Sequence, residues 1–430
     1  MRNLVAVIQP RFDVKSAQKN DPFARPAEAD LAESVSLTEA INLNVTHSEI
    51  VPIRDISPAT LMGSGNVARI ADILQDKKIK LVFVNAALSP IQQRNLERAW
   101  KAKVIDRQGL ILEIFGARAK TSEGKLQLEL AMLLYQRSRL VKAWTHLERQ
   151  RGGLGKTGGP GEMQKELDRR KLDERIKTIR RDLDKVVRNR EVQRSARERV
   201  PFPVVALVGY TNAGKSTLFN ALTSAGVMAK DLLFATLDTT LRAVSLPSGR
   251  VVILSDTVGF ISNLPPELVA AFRATLEETM HADLILHVRD VATAYSEAER
   301  SDVLETLKRM ELDPETQIWE VWNKVDLLGN EEKDSLVQVA KKSDPKALPV
   351  SAVTGEGLDV LLAEIDHALS KRDRIEQMHL AITDGEALSW LYRHATILER
   401  HDNDNDIRLL LRISPAALGR FQNQFLNKSA

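Results

Sequence analysis

The stretch VVALVGYTNAGKSTLFNAL, residues 204–222, constrains the fold of this 430-residue chain more than any other. An apolar run ends at Gly209, and a polar loop with a second glycine, Gly214, leads into Lys215 and Ser216. This spacing fits G-x-x-x-x-G-K-[ST], a motif that requires a buried strand before the loop and a helix after it. The chain is therefore predicted to contain an α/β domain with a phosphate-binding loop.

Each residue type in this loop suits phosphate binding. Glycines let backbone N–H groups turn toward phosphate oxygens, and the following helix adds the positive end of its dipole. Lys215 can reach the β- and γ-phosphates, and Ser216 can ligate Mg²⁺. A chance glycine-rich turn is the alternative, and the motifs downstream disfavour it. The nucleotide-binding residues assigned here are Gly209, Tyr210, Thr211, Asn212, Ala213, Gly214, Lys215, Ser216 and Thr217.

A second motif, RVVILSDTVGF, predicts a strand that ends at Asp256 and a turn at Gly259. Asp256 can hold Mg²⁺ through water, and the Gly259 N–H can sense a γ-phosphate. No catalytic side chain is assigned, and Gly259 with Phe260 marks the switch. The nucleotide-binding residues in this motif are Asp256, Thr257, Val258 and Gly259.

Two further motifs predict selection of the base. In IWEVWNKVD, the Asp326 carboxylate can accept hydrogen bonds from N1–H and the 2-amino group of guanine, which adenine does not offer. ALPVSAVTGEG places a backbone N–H where it can meet guanine O6, although a chance match stays open for this motif. The residues assigned are Asn323, Lys324, Val325, Asp326, Ser351, Ala352 and Val353.

Between the first two motifs, DLLFATLDTTLRAV is rich in threonine. It lies where a mobile loop would close over Mg²⁺ and the γ-phosphate. Thr236, Thr239 and Thr240 compete as the second Mg²⁺ ligand, and an ordinary turn or strand threonine is the alternative for each.

The region before these motifs alternates between strand and helix patterns. LVAVIQP, IVPIRD, IKLVFVNA and AKVID predict strands, with amphipathic helices between them, so residues 1–115 are expected to form a parallel α/β domain. GSGN at 63–66 opens a helix and could bind an anion, but a plain turn is favoured.

Residues 116–200 predict a basic helical hairpin. Glycine and proline in RGGLGKTGGPGE end the first helix, and each arm would extend roughly 40–55 Å. Residues 137–200 carry about ten more basic than acidic side chains although the whole chain has a net charge of only +3, which favours RNA over a merely solvated hairpin. The apolar seam is predicted at Leu126, Leu130, Leu133, Leu140, Trp144 and Leu147 on one arm and Leu172, Ile176, Ile179, Leu183 and Val186 on the other.

The remaining chain divides into a P-loop GTPase domain at 201–372 and a small C-terminal α+β domain at 373–430. The latter reads as β-α-β-α, with one helix through GEALSWLYRHATILER and with Trp390 and Tyr392 in the core. Hydrophobic residues make up 43% and there is no cysteine, which excludes disulfides and thiolate sites. No apolar run approaches the roughly 20 residues of a membrane span. We expect a cytoplasmic monomer with no integral membrane association and no DNA partner.

Together, GYTNAGKSTLFNAL, LFATLD, DTVGFI, LPPELVAAFRATLEE and WTHLERQRGGLG…GGPGE resemble the HflX-type ribosome-associated GTPases. The resemblance implies GTP hydrolysis coupled to binding of the large ribosomal subunit and its rRNA, with stalled ribosomes split or rescued under stress. It implies that the glycine-rich tip points toward the peptidyl-transferase region and that Thr236 is the second Mg²⁺ ligand. Thr239 stands where the family commonly has proline. The nucleotide-binding residues that it adds are Phe234, Ala235, Thr236, Leu237 and Asp238.

Two residues suggest how hydrolysis is controlled. Phe260 stands where Ras-like enzymes place a water-orienting glutamine, so we expect slow intrinsic turnover that the ribosome stimulates. Asn212 occupies a loop position that in several glutamine-lacking GTPases helps to bind K⁺, and its alternative role is to satisfy loop backbone groups.

Three other functions are alternatives for a chain with these motifs. A tRNA-modifying GTPase of the TrmE type would carry a C-terminal cysteine motif, and an Era-like factor would carry a KH domain with a GxxG loop after the GTPase module; this chain shows neither. A regulator that binds a protein partner through the hairpin stays as the alternative.

Overall fold

The computed structural model describes residues 4–12, 25–119, 121–150, 160–197, 202–223, 240–257, 259–262, 280, 282–310, 312, 316–371, 373–403, 406–413 and 415–426. Within these ranges it contains three sheets and a long helical hairpin. The expected class, a multidomain α/β protein with a P-loop GTPase domain and a C-terminal α+β domain, is confirmed. The boundaries proposed between domains stay predictions.

The N-terminal domain is a parallel sheet with strand order β2-β1-β3-β4. Its strands are β1 (Leu4–Phe12), β2 (Asn44–Ile53), β3 (Leu81–Val84) and β4 (Lys103–Asp106). Its helices are α1 (Ala27–Glu39), α2 (Ser64–Asp76), α3 (Pro90–Trp100) and α4 (Arg107–Arg118). The sequence patterns did not predict α4, which begins where the Asp106 carboxylate accepts a hydrogen bond from the Gly109 N–H at 2.8 Å. GSGN begins α2.

The predicted hairpin consists of α5 (Ser122–Gln150) and α6 (Pro160–Arg197). Leu130, Leu134, Ile176 and Ile179 are buried between the arms, beside the partly buried Leu126, Leu133 and Leu183. Arg137, the polar residue in the seam, pairs across it with Asp173 at 3.2 Å. Residues 151–159 of the tip and the side chains of Leu140, Trp144 and Leu147 lie outside the described part of the chain.

The GTPase domain has strand order β10-β9-β8-β5-β7-β6, with every neighbour parallel except β6, which is antiparallel to β7. The strands are β5 (Val204–Gly209), β6 (Thr240–Ser245), β7 (Val251–Asp256), β8 (Leu284–Asp290), β9 (Gln317–Asn323) and β10 (Ala347–Pro349). The helices are α7 (Lys215–Thr223), α8 (Ser296–Arg309), α9 (Asn330–Ala340) and α10 (Leu358–Ser370).

One apolar core joins the N-terminal and GTPase domains. The five parallel strands of the GTPase sheet place the loops that follow them along one edge of that sheet. Alternate residues of β5 face the apolar core between the two domains. It contains the buried residues Val5, Val7, Leu37, Phe83, Leu110 and Phe115 from the first domain and Ala206, Val208, Tyr210, Phe260, Ile261 and Ile285 from the second. Because the cluster is continuous, the two domains share a hydrophobic interior.

The C-terminal domain is an antiparallel sheet with order β11-β13-β12. Its elements are β11 (Arg374–Ala381), α11 (Gly385–His394), β12 (Ala395–Asp402), β13 (Asp406–Ile413), α12 (Pro415–Phe421) and a π-helical turn, Gln422–Leu426.

Two expectations for this domain were wrong. Residues 395–402 form β12 instead of continuing the helix, because β-branched Thr396 and Ile397 pair well with β13, where Ile397 lies opposite Leu411. Trp390 is buried as predicted, but Tyr392 is half exposed, and its hydroxyl accepts a hydrogen bond from Arg400 at 3.1 Å.

A buried ion cluster fixes β8, β9 and α8 together. One oxygen of Glu320 accepts hydrogen bonds from Arg289 at 2.6 Å and from the Trp322 indole at 2.8 Å, and Arg300 donates to the other. Burial alone would raise the pKa of Glu320, but the hydrogen bonds from Arg300 and Trp322 and the charge of Arg289 lower it to about 2.

We expect Glu320→Gln to lower the free energy of unfolding at pH 7 by about 3 kcal/mol, because it removes the buried carboxylate that pairs with Arg289 and Arg300 and leaves Arg289 only its pair with the more exposed Glu297. The lowered pKa means that the carboxylate stabilises the fold above its ordinary pKa and loses this effect as pH falls toward 2. Urea unfolding of both proteins should therefore show a difference that shrinks at acid pH. Glu305→Gln, which removes the exposed partner of Arg309, should change the value by less than about 0.5 kcal/mol.

Candidate nucleotide-binding site

The predicted site residues meet at the carboxyl edge of the GTPase sheet. Gly209, Asp256 and Asn323 are the last residues of strands β5, β7 and β9. Ser351 is the second residue after β10. Since these strands are parallel neighbours, their carboxyl ends lie along one edge, which is where open α/β sheets bind ligands.

Two glycines make the phosphate loop possible. A Cβ on Gly209 would lie 2.2 Å from the Val288 carbonyl oxygen of the neighbouring strand. Gly214 has φ +91°, and its Cβ would lie 2.2 Å from the Asn323 amide nitrogen. Asn212 adopts a left-handed φ of 62°, a conformation that asparagine tolerates better than most residues.

Lys215 is buried beneath the loop at the start of α7, with Thr217 in the first turn of the same helix. Its ammonium group donates to the carbonyl oxygens of Gly209 at 3.0 Å and Tyr210 at 2.8 Å. Burial lowers the pKa of Lys215 to about 8, against the opposing charge of Asp256. The Lys215 ammonium group is therefore mostly charged at pH 7, and it lies against the phosphate loop.

Ser216 and Asp256 form a pair of hard oxygen donors. The Ser216 hydroxyl donates to Asp256 Oδ2 at 2.8 Å, which brings the end of β7 onto the start of α7. A hydroxyl and a carboxylate oxygen are the ligand types that Mg²⁺ prefers, so the residues present fit this ion. Next to them, Thr257 donates to the Leu207 carbonyl at 2.6 Å and ties β7 to β5.

The switch turn is bonded directly to the phosphate loop. The Phe260 N–H donates to the Gly209 carbonyl at 3.0 Å, and the Thr211 N–H donates to the Phe260 carbonyl at 2.7 Å. Gly259 packs so closely that a Cβ would lie 3.1 Å from the Lys215 ammonium nitrogen. The Phe260 side chain is only 2% exposed and belongs to the core shared by the two domains.

Asn323 braces the phosphate loop against the β10 loop. Its amide nitrogen donates to the Ala213 carbonyl at 2.9 Å, and its amide oxygen accepts from the Ala352 N–H at 3.0 Å. Val325 is buried, and its N–H donates to the Val350 carbonyl at 3.3 Å. The motif of β9 thus holds the two loops on either side of it in register.

The proposed base-reading carboxylate is oriented by the β10 loop. Ser351 donates from its hydroxyl to Asp326 Oδ1 at 2.6 Å, and the same hydroxyl accepts from the Thr354 N–H at 3.1 Å. Lys324 has φ 68° and pairs with Asp290 at 2.7 Å. Val353 is 77% exposed at the mouth of this loop.

Part of the predicted set lies outside the described residues. This applies to Phe234, Ala235, Thr236, Leu237 and Asp238, to the rival Thr239, and to Val258. Thr240, the third candidate threonine, begins β6 opposite Asp256. The choice of Thr236 as a metal ligand stays a prediction.

Sequence reasoning missed several residues that shape the site. Asp290, which pairs with Lys324, had a usable signal, because it is an acid at the end of the apolar run LILHV. The Tyr210 hydroxyl, which bonds to residues of the N-terminal domain, had none, since its partners are far away in sequence.

The sheet topology, the phosphate loop with its buried lysine, and the ordered carboxylate beyond β9 define a P-loop protein of the GTPase class. Family models match almost the whole chain: "GTP-binding GTPase N-terminal" over residues 28–116, "GTP-binding GTPase Middle Region" over 118–197, "50S ribosome-binding GTPase" over 204–324 and "HflX C-terminal domain" over 335–425.

Curated relatives agree with these models. GTPase HflX of Magnetococcus marinus is 48% identical over 92% of this chain and 90% of its own, and GTPase HflX of Escherichia coli is 41% identical over 89% of both. A GTP-binding protein from Sulfolobus solfataricus, solved with GDP, is 23% identical over 85% of this chain and 98% of its own, at a TM-score of 0.44. The chain belongs to the HflX family of GTPases, and it binds and hydrolyses GTP.

We expect Gly214→Ala to weaken GTP and GDP binding by at least about tenfold. The new methyl group must displace the Asn323 side-chain amide, and the backbone at position 214 is in the left-handed region that favours glycine. Gly65→Ala is the matched control, since its Cβ meets nothing within 4 Å and it lies inside α2. Equilibrium titration with fluorescent nucleotides measures both. Equal affinity of the two variants would show that Asn323 is not a brace.

Proposed function

We propose that this chain is a GTP hydrolase that binds the large ribosomal subunit in a GTP-dependent manner and splits or rescues stalled ribosomes under stress. The observation that carries this proposal is the basic hairpin joined to a GTPase domain. The family model described as a 50S ribosome-binding GTPase supports the choice of partner. No helix in the described ranges combines the length and apolar character that a bilayer crossing requires.

The nucleotide roles follow from the site. Lys215 and the loop N–H groups would hold the phosphates, Ser216 would ligate Mg²⁺, and Asp256 would hold a water of that ion. When bound, Mg²⁺ would neutralise charge on the β- and γ-phosphates. We infer that Thr236 is the second protein ligand. K⁺ beside Asn212 is a further proposed cofactor, supplying positive charge where other GTPases use an arginine.

Guanine selectivity is proposed to rest on Asp326. Asp326→Asn places an amide donor against one of the two donors of guanine, so GTP affinity should fall by roughly a hundredfold while xanthosine triphosphate, which offers a carbonyl there, binds better. Competition binding with GTP, XTP and ATP measures the change. Asp334→Asn, an exposed site on α9, should leave all three affinities unchanged. Equal affinity of the wild type for ATP and GTP at this site would refute the assignment.

The outer surface of α6 supplies the charge for an RNA contact. Arg169, Arg170 and Lys185 have side chains that are 63%, 69% and 73% exposed. Their pairs with acids are surface pairs one helical turn away, which are weak in water and readily exchanged for phosphate. The hairpin can therefore neutralise a phosphate backbone without breaking buried contacts.

Replacing Arg180, Arg181, Lys185 and Arg188 with alanine should flatten the salt dependence of ribosome binding, by a log–log slope of up to about one unit per lost phosphate contact. Co-sedimentation with large subunits, in a non-hydrolysable GTP analogue and at several salt concentrations, measures the slope. A matched control replaces the exposed residues Lys308 and Arg309 on α8 and Lys341 and Lys342 in the turn after α9.

The same experiment separates the alternative function. If the wild type does not co-sediment with ribosomes, the hairpin binds some other partner, and a regulator acting on a protein becomes the better reading. If it co-sediments but the slope of the hairpin variant is unchanged, the RNA contact lies elsewhere on the chain.

A further inference from the structure

An arginine of the N-terminal domain bonds to Ser262, shortly after Gly259 and Phe260. Arg107 donates from one guanidinium nitrogen to the Ser262 carbonyl at 3.0 Å and to the Ser262 hydroxyl at 2.9 Å. The contact is almost dry, since the Arg107 side chain is 11% exposed and Ser262 is 9% exposed. Hydrogen bonds from a charged donor in such surroundings are strong ones.

Arg107 is placed for this contact by the N-terminal sheet. It directly follows β4, and its second terminal nitrogen donates to the Asn85 side chain at 2.7 Å, which in turn donates to Gln9 at 2.5 Å. Gln9 follows the last residue of β1 that pairs with β3, and Asn85 directly follows β3. The strand order reverses at this point, because β2 and β3 flank β1. Open α/β sheets bind their ligands at this point. Here the bound group is Ser262 of the same chain.

A second contact holds the same residue from the phosphate loop. The Ser262 N–H donates to the Tyr210 hydroxyl at 3.0 Å, and that hydroxyl donates to Glu33 at 3.0 Å. Arg25 donates to the Tyr210 oxygen at 2.6 Å and pairs with Glu33 at 2.7 Å. Burial raises the pKa of Tyr210 and keeps its proton in place for Glu33.

These contacts determine where Gly259 lies. Residues 259–262 form what we call the switch segment. Phe260 in its middle is bonded through both backbone groups to Gly209 and Thr211, and Ser262 at its end is bonded to Arg107 and Tyr210. The residues that follow Gly259 are therefore bonded both to the phosphate loop and to the N-terminal domain.

We propose that Arg107 is a positioning residue for GTP binding, because it keeps the switch segment ordered on the phosphate loop before GTP arrives. If a segment has to become ordered when a ligand binds, the conformational entropy that it loses weakens the affinity for that ligand. GDP has no γ-phosphate for Gly259 to contact, so only GTP binding carries this cost. The inference rests on the proposed role of Gly259 as the γ-phosphate contact.

The test uses the full chain and compares affinities for a non-hydrolysable GTP analogue and for GDP. Arg107→Met keeps the length of the side chain and should weaken analogue binding roughly tenfold with GDP binding unchanged. KM for GTP should rise while kcat at saturating GTP stays within about twofold, since bound GTP restores the order. Arg107→Lys should recover part of the loss, because one ammonium group can reach Ser262 but cannot fork to Asn85 as well.

A double-mutant cycle excludes a general loss of stability. Ser262→Ala removes one of the two acceptors and should weaken the analogue by about threefold, with no further effect in the Arg107→Met background. Arg139→Met is the matched control, because Arg139 is 17% exposed, bonds to Asp106 at 3.0 Å and belongs to the hairpin base. It should leave the ratio of the two affinities unchanged and combine additively with Ser262→Ala.

Gly259→Ala separates the two ways in which the inference can be wrong. If neither Gly259→Ala nor Arg107→Met changes the affinity ratio, Gly259 does not contact the γ-phosphate. If Gly259→Ala lowers the ratio of analogue affinity to GDP affinity and Arg107→Met does not, the arginine has no positioning role. An increase in GTP affinity or turnover in Arg107→Met would show that the arginine restrains the switch segment, which also overturns the proposal.

Discussion

Tyr210 is the contact on which the arrangement of the two larger domains depends. Its backbone belongs to the phosphate loop and gives Lys215 one of its two carbonyl partners. Its ring lies in the shared core, and its hydroxyl bonds to Glu33, Arg25 and the Ser262 N–H. An alanine at this position would keep the loop backbone but would remove the hydroxyl that bonds the buried pair of Arg25 and Glu33 to the phosphate loop.

The shared core decides what kind of motion can couple the domains. Residues such as Leu37 and Phe83 on one side and Val208 and Ile285 on the other belong to one continuous apolar cluster. Separating the domains fully would expose this surface to water at about 25 cal/mol per Å². Small repacking around fixed polar contacts costs far less, so nucleotide-dependent changes are expected to act through bonds such as Arg107 to Ser262. If Arg107 has the role proposed above, a partner whose binding changes the Arg107–Ser262 contact would change GTP affinity by the same factor as GTP changes the affinity for that partner.

The sequence predicted the GTPase sheet and the placing of its motifs because these depend on local patterns. The apolar run before Gly209, the strand before Asp256 and the strand before Asn323 each carry their signal within a few residues. The hairpin seam was predictable for the same reason, at Leu130, Ile176 and Ile179. The contacts of Arg107 and Tyr210 were not, since the Arg107–Ser262 pair spans 155 positions and the Tyr210–Glu33 pair 177, and no periodicity encodes such a pairing. Strand β12 was missed because ATILER fits a helix as well as a strand until β13 is present to pair with it.

The position of Phe260 explains why this site cannot work as Ras-like sites do. The missing glutamine suggested only that a water-orienting group was absent. In the fold, the Phe260 ring is 2% exposed and packs in the interior common to both domains, while its backbone is bonded on both sides to the phosphate loop. A glutamine here would place an amide in that apolar interior without partners, at a cost of about 1–3 kcal/mol, besides losing the packing of the ring. The residue after Gly259 is therefore committed to joining the domains, and a group that orients the attacking water has to come from another part of the chain or from a bound partner.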